Sequence, residues 1–266
     1  MDTLRRLATI KNCHSVWAVA SLHAEQQRLD AVHRVLYESF QPGDAIVYLG
    51  NMIGRGPMVR QTVDALLAFR RELIAQPAVF AGDLIYLRGV QEELFDKLLQ
   101  LQFSQSPQDI AEWMLRNGLA STLQAYGSSA SELRAVAQLP ATQISRYTAK
   151  LREAIRAAPG HAAFYSSLKR AAALDTGSLL FVHAGLDPYR PLAAQTDAFW
   201  WGNTAFMQMN QPYQGFERVV TGWHPEHRGV FEAAYYTLFD AGAGFGGKLL
   251  LGQFSPRGNL LQVFEA

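Results

Sequence analysis

The sequence predicts an α/β protein in which two β-sheets pack as a sandwich, with helices outside and a helical insertion near the middle. Three observations carry this. Short apolar runs at 15–21, 45–49 and 84–87 alternate with stretches of helical periodicity. Residues from about 92 to 176 show helical spacing alone. Short strand-like runs joined by Gly-rich turns then return and continue to 264.

Each element follows from its residues. Val16, Trp17 and Val19 have β-propensity and are followed at once by polar residues, giving the first buried strand. Leu29, Val32, Val35 and Leu36 recur at helical spacing. The turn Pro42-Gly43-Asp44 leads into a second strand that stops at Gly50, and Val63, Leu66, Leu67 and Phe69 mark the next helix. A third strand, 84–87, runs into Gly89. This order predicts a largely parallel first sheet, with functional residues just beyond the carboxyl ends of its strands.

The central segment reads as helices through Leu94/Leu98/Leu101, Ile110/Trp113/Met114 and Leu151/Ile155, with breaks at Ser104-Gln105-Ser106-Pro107 and Gly127-Ser128-Ser129. Strand signals resume at 179–182, before His183. They recur at Val219-Val220-Thr221, at 235–239, and at 249–251 and 260–264 with hairpin-like spacing. These predict a second, mixed sheet. His161 and Asp175 read as isolated surface residues. The glycines from Gly242 to Gly247 read as a tight turn, because no Lys-Ser/Thr follows as a phosphate loop requires.

Bulk composition narrows the function. A chain of 266 residues, 49% hydrophobic and 18% charged, can bury a sizeable core, and no linker-like tract divides it, so a single domain over 1–266 is expected. Its 24 Lys and Arg against 23 Asp and Glu give a net charge of +1, which offers no support for a nucleic-acid surface. The lone cysteine, Cys13, allows no intrachain disulfide. Arg5, Arg6 and Lys11 before the apolar run at 16–20 resemble a weak secretory signal, but the run is shorter than the roughly 7–15 residues such a signal needs. No run approaches the roughly 18–20 apolar residues of a membrane span. A cytoplasmic protein with no membrane association is expected.

The strand ends carry a resemblance. Val19-Ala20-Ser21-Leu22-His23-Ala24 stands where calcineurin-like metallophosphoesterases place Gly-Asp-x-His-Gly. Gly50-Asn51-Met52-Ile53-Gly54-Arg55-Gly56 replaces Gly-Asp-x-x-Asp-Arg-Gly, and Gly89-Val90-Gln91-Glu92 replaces Gly-Asn-His-Glu. Gly222-Trp223-His224 replaces Gly-His-Thr, while His183-Ala184-Gly185 is intact. The chain most resembles the bacterial serine/threonine phosphatase branch of that superfamily. This implies a metallophosphoesterase-like sandwich with a helical cap over the site. Asn117-Gly118 and residues 122–127 resemble a stretch of that cap, and Asp240-Ala241-Gly242 with Gly246-Gly247 resembles a C-terminal motif.

The resemblance also implies what is missing. A two-metal site clamps a phosphoryl group between two divalent ions and generates hydroxide. Ser21 stands for the first acidic ligand and Asn51 for the bridging one, and a neutral amide makes a poor bridge. Val90 replaces an amide ligand, Gln91 the proton-donating histidine, Gly54 the carboxylate that orients it, and Trp223 a histidine ligand. Without the carboxylates, two divalent ions about 4 Å apart would repel by roughly 16 kcal/mol at an effective dielectric of 20. The expectation is therefore an inactive pseudophosphatase with no cofactor and no metal pair, serving as a regulatory or scaffold protein. Its partner is another protein or a second copy of the chain.

Alternatives stay open at this level. His23 and His183, with His224, could hold one metal in a residual phosphoesterase. Arg55, which the resemblance places on substrate phosphate, could serve a non-hydrolysing phosphate or nucleotide sensor, or instead form a salt bridge with Glu92. Phe199, Trp200 and Trp201 form an aromatic segment suited to an interface or to a core. The vestigial pocket is thus expected around Ser21, His23, Asn51, Gly54, Arg55, Val90, Gln91, His183 and Trp223.

Overall fold

Apolar runs buried on both faces make the central strands, and less regular runs complete the sheets at their edges. The computed structural model describes residues 7–266. Strands β1 (Leu7–Ile10), β2 (Val16–Val19), β3 (Ala45–Tyr48) and β4 (Leu84–Tyr86) precede the helical segment. After it come β5 (Ala171–Leu174), β6 (Leu179–Val182), β7 (Arg218–Thr221) and β8 (Gly229–Glu232). Strands β9 (Tyr236–Asp240), β10 (Leu250–Phe254) and β11 (Leu260–Glu265) end the chain. One sheet has the order β11-β10-β2-β3-β4 and the other β1-β5-β6-β7-β9-β8.

In the five-stranded sheet, β2, β3 and β4 are parallel, with Val16 opposite Ala45 and Ile46 opposite Leu84. The sheets meet through aromatic side chains: Phe254 of one lies edge-on to Phe181 of the other at 5.8 Å between ring centroids. Phe239 packs on Phe254 at 6.1 Å. A Cβ at Gly252 would come within 2.7 Å of the Phe239 ring, so this face needs glycine.

Helices α1 (Gln26–Ser39) and α2 (Val59–Ile74) bury Leu29, Val32 and Leu36, and Val63, Leu66 and Phe69, at the predicted spacing. The insertion consists of α3 (Val90–Leu98), α4 (Pro107–Arg116), α5 (Ala120–Ala125), α6 (Ala130–Val136), α7 (Ala141–Ala157) and α8 (His161–Ser167). Short helices α9 (Ala198–Trp201) and α10 (Thr204–Met207) follow β6.

The structure corrects several expectations. The insertion ends at Ser167, not near 176, because residues 171–174 form β5. Their Ala-Ala-Ala-Leu sequence favours helix, and pairing with β1 and β6 overrides that propensity. Strands β1 and β8 also lack a readable pattern, since both are partly exposed edges. The C-terminal hairpin joins the first sheet, with Leu251 opposite Val19, and so makes both sheets mixed. Of the signal-like feature, Arg5 and Arg6 lie outside the described residues, and the apolar run behind them is the fully buried β2. No helix among the described residues is long and apolar enough to cross a membrane.

Candidate functional site at the strand ends

The loops after β2, β3, β4, β6 and β7 converge because glycines let their backbones touch. Gly50 has φ +95°, and a Cβ there would lie 2.8 Å from both Gly89 N and His183 Nδ1. Backbone bonds then stitch the loops together. Ser21 N–H donates to Gly222 O at 2.9 Å, His23 N–H to Asn51 O at 2.6 Å, and Trp223 N–H to His183 O at 3.1 Å. His23, Ala24, Asn51 and Arg55 all sit in left-handed backbone, with φ between 43° and 59°. Ala24, where the resembling motif has glycine, bears that conformation at a cost of about 1 kcal/mol. The backbone bend matches the motif that this loop resembles.

The loops carry Ser21 and Asn51 where the motifs they resemble have carboxylates. Asn51 is buried and uses both ends of its amide internally. Its Oδ1 accepts from Gln91 N–H at 3.0 Å, and its Nδ2 donates to Ser21 Oγ at 3.4 Å and to His23 Nε2 at 3.3 Å. His23 therefore carries its proton on Nδ1, which is buried without a partner. Burial, followed by the charge of Arg55, drives the His23 pKa well down.

The Glu92 carboxylate reaches these loops, and the backbone consumes it. It accepts from Asn51 N–H at 3.0 Å, Gly89 N–H at 2.8 Å and Ile53 N–H at 3.1 Å. The Gly89 bond also caps the first turn of α3. Burial raises its pKa, opposed by these backbone donors. The expected Arg55–Glu92 salt bridge is thus absent: Glu92 points into the loops, while the Arg55 guanidinium lies 4.1 Å from the centroid of the Phe245 ring.

His183 is held differently. Its Nδ1–H donates to Leu49 O at 2.7 Å, leaving Nε2 buried and without a partner. Burial pushes its pKa down to about 4 against the raising effect of that bond. The half-buried Trp223 stacks beside it at 6.3 Å and 27°. Val90 is buried at the start of α3. The Gln91 side chain occupies the space over Gly54, where a Cβ would come within 2.2 Å of Oε1, and its Nε2 donates to Asn117 O at 2.7 Å.

A feature the sequence did not signal closes the cleft. Gly242, Gly244 and Gly246 all have φ above 80°, and a Cβ at Gly244 would lie 2.3 Å from His23 Cβ. This tight turn, predicted only as a turn, presents Phe245 edge-on to His23 at 5.3 Å and against His227 at 4.2 Å. Buried Asp240 accepts from His227 Nδ1 at 2.7 Å and His224 N–H at 2.9 Å. His224 turns back on its own loop, where its Nδ1 accepts from Glu226 N–H. It brings no third nitrogen to His23 and His183.

The donor set does not fit a two-metal centre. Among the described residues no three His, Cys, Asp or Glu side chains gather as a ligand group. The bridging position holds an amide already bonded at both ends, and one of its partners is the Nε2 of His23. Among the described residues of the cleft, His183 Nε2 and the neutral amide oxygen Gln91 Oε1 are buried acceptors with no partner, and of these only the imidazole is a usual metal ligand.

Other candidate residues fall elsewhere. Phe199 and Trp200 are core, not interface, at 1% and 8% exposure, because α9 folds inward and stacks both rings near Arg170. Trp201 alone stays half-exposed, tilted against Trp113 at 5.2 Å. His161, expected at the surface, is fully buried: its Nδ1 meets Tyr126 Oη at 2.7 Å and its Nε2 meets Asp64 Oδ1 at 3.0 Å, joining the insertion to α2. Asp175 is exposed as expected.

Known structures share this architecture. A protein provisionally assigned as a diadenosine tetraphosphatase superposes with a TM-score of 0.56 at 19% identity, over 98% of each chain. The chain has a metallophosphoesterase fold. A serine/threonine phosphatase from Saccharomyces cerevisiae gives 0.51 at 15% identity, over the whole of this chain and 86% of the other. A point mutant of a cold-active protein tyrosine phosphatase gives 0.50 at 14%, over 98% and 85%. No protein-family model matches the sequence, and no curated protein matches it.

Proposed function

We propose that this metallophosphoesterase fold is catalytically silent and serves a regulatory or scaffolding role through protein binding. One observation carries the reading: Asn51, in the bridging position, spends its oxygen on Gln91 N–H and its nitrogen on Ser21 and His23. A bridging ligand must offer negative charge and free lone pairs to two ions, and this neutral group has one oxygen that already accepts a hydrogen bond. Gln91 over Gly54 supports the same conclusion, since the proton donor and its orienting carboxylate are replaced by a neutral side chain and the space it fills. Accessible aromatic surface on the insertion suits a protein partner: Phe103 is 81% exposed beside Trp113 and Trp201.

The test is metal analysis of the purified chain together with p-nitrophenyl phosphate turnover in added manganese. The expected result is less than one metal per chain and no turnover above buffer. Two metals per chain, or turnover abolished by His23→Ala and by His183→Ala, would overturn the proposal.

A second reading, a non-hydrolysing phosphate or nucleotide sensor, is favoured by Arg55. Its side chain is exposed and has no acidic partner among the described residues. Thermal-shift titration with nucleotides addresses it, and stabilisation unchanged in Arg55→Ala removes Arg55 from that role.

A further inference from the structure

We propose that the cavity between α3, α7 and α8 is a binding site for a small amphipathic carboxylate, held by Arg152 and Arg156 with its apolar body against Phe95, Leu99, Ile155 and Leu168. The site lies behind the strand-end cleft, separated from it by Glu92, which lines both. Its volume is about 270 Å³. Four apolar side chains contribute to the wall, and three of them, Phe95, Ile155 and Leu168, are buried core residues.

The charges around it are unequally matched. Arg88 is held by Glu93 at 3.1 Å and Asp96 at 3.2 Å, so that lining pair of Arg88 and Asp96 is internally neutralised. Glu92, the other lining carboxylate, is committed to three backbone N–H groups. Arg152 donates to Leu99 O and to Thr148 Oγ1, both neutral acceptors. Arg156 is exposed, and neither it nor Arg152 has a carboxylate partner among the described residues. The two arginines stand four residues apart on one face of α7, where like charges repel. An anion between them converts that repulsion into two charge-assisted contacts.

Volume selects the head group. The space holds roughly nine groups the size of a water molecule, at ~30 Å³ each. A phosphate monoester spends five of these on its head and leaves little to meet the apolar wall. A carboxylate spends three and leaves about six carbons for it. The match is a medium-chain monocarboxylate of about seven carbons, and octanoate, one carbon longer, serves as the probe.

The experiment titrates the delipidated full-length chain with octanoate, octanol and octyl phosphate, read by calorimetry and thermal shift. Octanoate is expected to bind saturably, at least tenfold tighter than octanol or octyl phosphate. Arg156→Glu, at an exposed position, is expected to weaken octanoate at least tenfold. Ala162→Trp, which fills the cavity from its exposed rim, is expected to abolish binding. Unliganded melting temperatures confirm that both variants fold. No octanoate binding at millimolar concentration overturns the proposal, as does octanol or octyl phosphate binding equally well. So does octanoate affinity that survives either substitution.

Discussion

The strand-end cleft and the helix-lined cavity share one wall, Glu92, yet they handle polar groups in opposite ways. In the cleft, Asn51, Ser21, His23, Gln91 and Glu92 bond to one another or to loop backbone, and Phe245 lies across the mouth. In the cavity, two guanidinium groups have no acidic partner among the described residues and line open volume. What a site can bind depends on what it leaves unbonded. By that measure the cleft, where most polar groups are bonded internally, fits the proposed structural role, and the cavity fits the proposed ligand site.

The sharpest way to break this contrast is Glu92→Ala. Three buried backbone N–H groups would lose their acceptor, at ~1–3 kcal/mol each, so urea denaturation should show a loss of about 4 kcal/mol. A loss below about 1 kcal/mol would mean that Glu92 is not what holds the loops.

Acidification probes the cleft next. His183 is pushed down to about 4 by burial, against roughly 6.5 in the unfolded chain. Between those values the unfolded chain binds a proton that the folded chain refuses. The His183 contribution is therefore complete above about pH 6.5 and falls by roughly 3 kcal/mol as the pH drops towards 4. His33, pushed down to about 3 by burial, acts in the same direction. Denaturation midpoints between pH 7 and pH 4 should follow this slope, and His183→Gln should flatten it. An unchanged slope in that variant assigns the effect elsewhere.

Gly54→Ala tests whether the cleft has closed around its substitutions. The residue has φ +86°, and its new Cβ would strike the Gln91 amide, so a loss of about 2 kcal/mol is expected with octanoate affinity unchanged. The smallest effect belongs to Phe245→Ala. Removing the ring under Arg55 should cost about 1 kcal/mol and raise the accessibility of His23 to diethyl pyrocarbonate. Unaltered modification of His23 would show that Phe245 does not close the cleft.

The fold was legible where burial imposes a pattern. Strands β2, β3, β6 and β7 fall where short apolar runs place them, and helices α1 and α2 where apolar period 3.6 does. Strand β5 was not legible, because alanine carries no β signal and only its neighbours hold it extended. That the loops bearing the named residues meet was legible, since glycines at 50, 89 and 222 allow their close approach. Their bonding was misread at Arg55 and Glu92, whose direction depends on the backbone donors nearby and not on opposite charge alone.

By itself the sequence determined the charge inventory of the strand ends. Folding cannot supply a carboxylate where the chain carries Ser21, Asn51, Gly54 or Trp223. Only the tertiary structure decided the rest: that Glu92 serves backbone, that Phe245 covers His23, and that Arg152 and Arg156 line a cavity whose two carboxylates are bonded to other groups. Those outcomes depend on which groups from distant parts of the chain reach hydrogen-bonding distance first, and no local pattern encodes that competition.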